Sequence, residues 1–263
     1  MPPEKAFENE SEKDQDMKVI FHKRPKLKNP VMITGLPGMG LVAKQVADYF
    51  VRGVKGRFIG EITSPHFLPA VAPFDNGQIR LIDDKIYRFY TRRGDKKDLL
   101  FFTGDYQPNS PENQHKLADK VIRVAEEFGV KELYTGAATP VGGYVEIPKV
   151  YGVGTSRESI KRLKEMDVTI MKEGAISGFN GIVLSYAKKR GIDSICLLGE
   201  TYLIESIDVK AALALIKKLS EIIGIEMDIS EIEKAAKEFD KRFQALLKQT
   251  SGAEKKRGLG YIY

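Results

Sequence analysis

The sequence predicts an α/β fold in which helices layer on a mostly parallel sheet, followed by a C-terminal helix. Two kinds of observation carry this. Val31–Thr34 is an apolar run of the buried-strand type. It leads through Gly35-Leu-Pro-Gly-Met-Gly40 into a stretch with Val42, Val46, Tyr49 and Phe50 on one helical face. A helix–glycine–strand phrase then occurs twice, as Ser110–Gly129 before Lys131–Thr135 and as Gly178–Gly191 before Ser194–Leu198. Strands alternating with helical patterns of this length give crossover units and parallel pairing.

Residues 1–16 hold six acids, two lysines and almost nothing apolar, the composition of a disordered acidic arm. The ordered body therefore starts near Met17, with Val19, Ile20 and Phe21 as an edge strand. The first helix stops before Gly53. Between Gly56 and Gly104, the runs Arg57–Thr63, Gln78–Ile82, Ile86–Thr91 and Leu99–Thr103 read as strands. Asp83-Asp84 and Arg93-Gly94-Asp95 supply turns, so this part forms antiparallel hairpins. Ser110 caps the next helix and Pro111 takes its first position. Leu117, Val121, Val124 and Phe128 form its stripe, and Gly129 closes it.

Asp208–Ile223 aligns Val209, Leu213, Ile216, Leu219 and Ile223 on one face. Ser230 and Glu233 then have capping-box spacing. Ile229, Ile232, Ala236, Phe239, Phe243 and Leu246 step by threes and fours, the spacing of a narrow seam between helices. Either the chain's own body or a second subunit can fill that seam. Ile232, Phe239, Phe243 and Leu246 are accordingly candidate oligomer contacts. The expected units are a disordered arm at 1–16, an α/β domain at 17–225, a helix at 226–250 and a flexible tail at 251–263.

Hydrophobic and charged contents of 42% and 30% are globular values. The single cysteine, Cys196, excludes a disulfide framework and any CxxC motif. His22, His66 and His115 lie far apart, without zinc-ligand spacing, and no metal site is expected. No apolar run approaches the roughly 18 to 20 residues that span a bilayer. The acidic N-terminus is unlike a signal peptide, so no membrane partner and a cytoplasmic location are expected. The net charge of +6 is interleaved with 36 acids and contains no long basic block. A solvated mixed-charge surface accounts for it better than a nucleic-acid footprint. Abundant Lys and Glu beside sparse Asn, Gln and Cys is a composition found in proteins of hot environments.

The Gly35–Gly40 loop has two readings. Backbone N–H groups before a helix can cradle a phosphate, which would make Gly35, Gly38 and Gly40, with Asp105 and Glu200 at strand ends, the ligand site of a nucleotide- or nucleoside-binding enzyme. Separately, Asp105 and Glu200 with Arg92 or Arg93 could assemble a phosphate-handling or acid/base site. Yet the loop is neither G-x-G-x-x-G nor a P-loop, and Lys44 lies a turn into the helix. The other reading is a tight turn that seats the helix close to the sheet. Cys196 sits within Ile195–Leu198 and reads as core. Gly142-Gly143-Tyr144 suits a pocket, an interface or a mobile loop. Nothing here forms a catalytic constellation, and no cofactor is expected.

The C-terminus ends Gly258-Leu-Gly-Tyr-Ile-Tyr263 after a polar, basic stretch. An apolar tip with a free carboxylate suits insertion into a pocket of a partner protein. Leu259, Tyr261, Ile262 and Tyr263 are the candidate partner-binding residues.

Val31-Met-Ile-Thr-Gly-Leu-Pro-Gly-Met-Gly-Leu-Val-Ala43 resembles the opening motif of the PAC2 family, the proteasome assembly chaperone 2 family and its archaeal homologues. Phe101-Phe-Thr-Gly-Asp-Tyr-Gln-Pro108, Gly136–Gly143, Gly178-Phe-Asn-Gly181 and Leu197-Leu-Gly-Glu-Thr201 are similar to its later blocks, in the same order. The resemblance covers about residues 30 to 220. It implies an α/β/α sandwich similar to the purine nucleoside phosphorylase fold, no established catalysis, and a homo-oligomer that binds proteasome α-subunits or the 20S α-ring. Members of the family and proteasome activators use a C-terminal hydrophobic–Tyr–any-residue motif. Here Ile262 is penultimate, between tyrosines 261 and 263, so the tail is motif-like but out of register. Some relatives are labelled ATP-grasp ligases; this sequence has no metal-binding carboxylate pair or phosphate-binding lysine that supports such a label.

Overall fold

The computed structural model describes the backbone at residues 17–63, 74–75, 78–79, 87–94 and 97–257, and side chains over 17–63, 87–94 and 97–243. The acidic arm, residues 258–263 and most of the stretch between Thr63 and Tyr87 lie outside the described residues. The first half of the chain forms β1 (Lys18–Phe21), β2 (Val31–Gly35), a 3-10 turn (Met39–Leu41), α1 (Val42–Gly53), β3 (Arg57–Thr63), β4 (Phe74–Asp75), β5 (Gln78–Ile79), β6 (Tyr87–Arg92) and β7 (Leu99–Gly104). The second half forms α2 (Pro111–Glu127), β8 (Glu132–Pro140), β9 (Val150–Gly154), α3 (Arg157–Glu165), β10 (Thr169–Ile170), α4 (Phe179–Lys189), β11 (Asp193–Thr201), α5 (Val209–Ile223) and α6 (Ser230–Arg257).

Nine strands share one sheet in the order β1-β3-β6-β7-β2-β8-β11-β9-β10, and β4 pairs with β5 separately. The sheet is mixed, which corrects the mostly parallel expectation. β7, β2, β8 and β11 are parallel, whereas β1, β3, β6 and β7 form an antiparallel meander and β9 runs antiparallel to β11. The helix–strand phrases that suggested parallel pairing account for the centre alone. Every residue of β2 and β7 is buried, as central strands covered on both faces must be.

One face packs Val31, Ile33, Phe101, Tyr134 and Leu197 against α1 and α5. The other packs Met32, Leu100, Phe102 and Leu133 against α2 and α4. Neighbouring side chains along a strand serve opposite cores because strand direction alternates at each residue. Ser110 caps α2 by accepting the Asn113 N–H at 3.2 Å, and Gly129, at φ +77°, follows its last turn.

Sequence patterning predicts no element from β9 to β10. Gly152 lies within β9, and a Cβ there would fall 2.7 Å from the Leu163 side chain of α3, a close approach that requires glycine. The capping box expected at Ser230 and Glu233 does not form. Asp228 instead accepts the Ser230 N–H at 3.0 Å, while Glu233 pairs with Lys217 at 2.6 Å.

The helical seam is filled from within at its start, while Phe239 and Phe243 are half-buried. Ile232 and Ala236 are 6% and 7% exposed, and Ile232 belongs to the core over α1 and α5. This corrects Ile232 as an oligomer contact. The Leu246 side chain lies outside the described residues. α6 itself continues to Arg257, past the boundary at residue 250.

Candidate functional site

Parallel strands collect their following loops at one edge of the sheet. Here Asn180 and Gln107 hold the loop after β2 in a structural lock. The Asn180 carboxamide accepts the Leu36 N–H and donates to the Leu36 carbonyl, both at 3.0 Å. Gln107 accepts the Phe179 N–H at 2.8 Å and donates to the Pro37 carbonyl. Two side chains thereby tie the loop after β2 to the loop before α2 and to the first turn of α4. Asn180 is buried. Replacing it by leucine should leave both Leu36 polar groups unpaired and cost about 2 to 3 kcal/mol. A urea titration showing less than about 0.5 kcal/mol of change would reject this role.

Other groups of the loop are also engaged. Gly40 donates to the Ile204 carbonyl at 3.3 Å and accepts the Asp208 N–H at 2.9 Å, and Leu41 donates to the Gly38 carbonyl at 2.9 Å. A Cβ on Gly35 would lie 2.0 Å from the Ala43 carbonyl oxygen. The geometry favours a turn that seats α1 on β2 over a phosphate cradle.

Asp105 does not meet Glu200. Their strands, β7 and β11, are separated by β2 and β8, about 14 Å at the usual spacing. Asp105 pairs with Lys44 at 2.9 Å and Arg88 at 2.8 Å. Burial pulls the Lys44 ammonium down, but hydrogen bonds and charge from Asp48 and Asp105 outweigh it and hold it above its ordinary value. Glu200 accepts from Tyr151 at 2.8 Å and from the Lys149 N–H at 3.1 Å, fixing the start of β9. Arg92 pairs in register with Leu99, the first residue of β7, so it and Arg93 stand at the opposite edge. The acid/base grouping of Asp105 and Glu200 with either arginine is therefore not assembled. Cys196 is buried and its thiol is pushed up by that burial, as a core residue. Among the described residues no cluster of three or more His, Cys, Asp or Glu is placed to hold a metal ion. No described helix is long and apolar enough to cross a membrane.

What this edge does present is apolar surface. Met39, Tyr106, Ile147, Ile204 and Ile207 are exposed large hydrophobic residues, and all five lie on its loops. Sequence reasoning missed them because isolated apolar residues in loops have no periodicity. The Ile204 and Ile207 pair, within a polar loop, was the available signal.

The same edge anchors α6. Lys210, 6% exposed at its side chain, donates to Asp240 and the Val145 carbonyl at 2.7 Å each and to the Tyr144 hydroxyl at 3.2 Å. Its ammonium also lies 4.5 Å from the centre of the Tyr144 ring. Tyr144 stacks on Phe243 at 5.3 Å and meets Tyr202 at 5.5 Å; Phe239 stacks on Phe243 at 6.2 Å. Burial pushes the Tyr202 phenol up to about 12. The Gly142-Gly143-Tyr144 loop is thus a clasp for the last helix. Phe243 stacks on it within its own chain, and Phe239 stacks on Phe243.

The PAC2 family profile matches residues 32–247. An uncharacterised protein of Methanocaldococcus jannaschii is 36% identical over 225 residues, covering 84% of each chain. The structure is similar to Pyrococcus furiosus PbaB, described as an archaeal proteasome activator, with TM-score 0.79 and 29% identity over 88% of this chain and 98% of that one. It also shares its fold with Pyrococcus furiosus PbaA, described as an archaeal homologue of proteasome-assembly chaperone. That match has TM-score 0.74 and 24% identity over 93% and 97% of the two chains. A family match over residues 32–247, most of the chain, shows that it belongs to the PAC2 family.

Proposed function

We propose that this chain is a non-enzymatic, proteasome assembly chaperone-like or adaptor protein. It oligomerises and engages proteasome α-subunits or the 20S α-ring, partly through Leu259, Tyr261, Ile262 and Tyr263. The observation that carries the reading is the course of α6. The helix is clasped at Asp240 and Phe243 beside the apolar edge and runs on to Arg257, about 20 Å further at 1.5 Å per residue. Whatever follows Arg257 starts well clear of the clasp. The likeness to PbaB over nearly its whole length supports the same reading.

Burying one tyrosine is worth roughly 1.5 to 3 kcal/mol, so a single tip binds weakly and several tips on an oligomer bind with avidity. In this reading Met39, Tyr106, Ile147, Ile204 and Ile207 form the subunit contact. Native mass spectrometry with archaeal proteasome α-subunits tests it. A defined homo-oligomer that captures them is expected. A chain ending at Arg257 should bind at least tenfold more weakly, with its melting temperature nearly unchanged. Undiminished binding by the shortened chain would overturn the tail mechanism, and a monomer indifferent to α-subunits would overturn the whole proposal.

A further inference from the structure

Cations on much of this surface are matched. Lys44, Arg123, Arg162, Arg190 and Lys217 each pair with a carboxylate. The edge of the sheet opposite the apolar loops differs. There Lys23, Arg57, Arg92 and Arg93 line a cavity of about 400 Å³ with Pro25, Ile59 and Thr91, and no acid is among those residues. Arg93 donates to the Lys26 carbonyl at 3.4 Å. Lys23, Arg57 and Arg92 make no ion pair among the described residues. Arg92 and Arg93 also line a second cavity of about 910 Å³, together with Lys55, Lys97, Leu99 and Ile223. Glu221 and Glu226 are the acids there, and Glu221 is engaged by Lys218 at 2.6 Å. The result is a continuous groove with basic walls and apolar patches.

The chain carries a segment complementary to it. Glu8, Glu10, Glu12, Asp14 and Asp16 fall at every second residue. In extended backbone such a period puts all five carboxylates on one face, about 6.6 Å apart. Met17, which follows them, is buried and leads directly into β1, the outermost strand of the sheet. Lys23, on the groove wall, lies just past the other end of β1. Four residues of β1 span about 13 Å, whereas sixteen extended residues reach about 50 Å. The tether also keeps the local concentration of the acids high.

We propose that the basic groove is the docking site of the chain's own residues 1–16, held extended with their alternating acids toward Arg57, Arg92 and Arg93.

Carbodiimide cross-linking of the full chain, which joins carboxylates to lysine amines, tests this when read by mass spectrometry. Glu8–Asp16 should link to Lys55 and Lys97, residues remote in sequence. The yield should fall about tenfold on raising salt from 0.05 to 0.5 M, as for screened charge pairs, and equally in R57E/R92E. Both arginines are exposed, and an unchanged melting temperature confirms that this variant folds. In a second measurement, a labelled peptide of residues 1–16 should bind the full chain carrying E8Q/E10Q/E12Q/D14N/D16N at least tenfold tighter than the native chain, whose groove is filled. Links to Lys255 and Lys256 in place of Lys55 and Lys97 would overturn the proposal. So would links that survive R57E/R92E, or equal peptide affinity for the two chains. Heparin captured through Arg57 and Arg92 without peptide binding would assign the groove to a foreign polyanion and overturn it too.

Discussion

Gly35→Ala is expected to prevent the chain from reaching a stable native state. The added methyl would lie 2.0 Å from the Ala43 carbonyl oxygen and 2.6 Å from its carbon. These are backbone atoms of α1, so relief requires moving the helix off β2. α1 cannot move alone, because Val42, Val46 and Phe50 belong to the core that α5 shares, and close-packed interiors transmit such a shift. The cost should reach on the order of 4 kcal/mol or more, a large part of a domain's stability. Gly142→Ala is the control: its Cβ meets nothing within 4 Å, and a change below about 0.5 kcal/mol is expected. Circular dichroism melts of both variants check this. If Gly35→Ala melts within a few degrees of the parent chain, the close approach is not what places glycine there.

Asp240→Ala should be the most damaging change in the last helix. It would leave the Lys210 ammonium, nearly enclosed by Tyr144 and Val145, without its only carboxylate partner among the described residues. Breaking a fully buried pair costs about 3 to 5 kcal/mol; since Asp240 keeps a third of its side-chain surface in water, about 2 to 3 kcal/mol is expected. That corresponds to a fall of roughly 5 to 10 °C in melting temperature for a chain of this size. Limited proteolysis should cut earlier near Phe243, because the clasp would open. Replacing both partners, Lys210→Met with Asp240→Leu, should restore most of the loss, since a buried ion pair exchanged for apolar groups is close to neutral. A double variant no more stable than Asp240→Ala would show that the clasp depends on the charges themselves. The same variants connect packing to function. A loosened α6 no longer fixes the path of the helix to Arg257, so under the proposed function α-subunit capture should weaken along with stability.

The site was legible as composition and motif, and unreadable as geometry. The Gly35–Gly40 loop, Gln107, Glu200 and Gly178-Phe-Asn-Gly181 all stood out in the sequence, yet their roles as braces come from neighbours more than 40 residues away in the chain. The exposed isoleucines at 147, 204 and 207 gave no periodic signal. Phe239 and Phe243 did show helical spacing, but spacing fixes only which residues share a face, not what covers it.

Local chemistry alone determined several elements: the β2–α1 unit, the Ser110-Pro111 start of α2, the helix–glycine–strand phrases and the antiparallel hairpins of β3, β6 and β7. Each is set by short-range rules of capping, fixed dihedrals and alternating burial. Tertiary structure decided what those rules do not reach. It placed β9 antiparallel beside β11, making the sheet mixed. It parted Asp105 from Glu200 and from Arg92, and it closed Tyr144, Lys210 and Asp240 around the last helix. These outcomes depend on strand order and on which loops share an edge. They are global properties of how layers pack, and no window of sequence contains them.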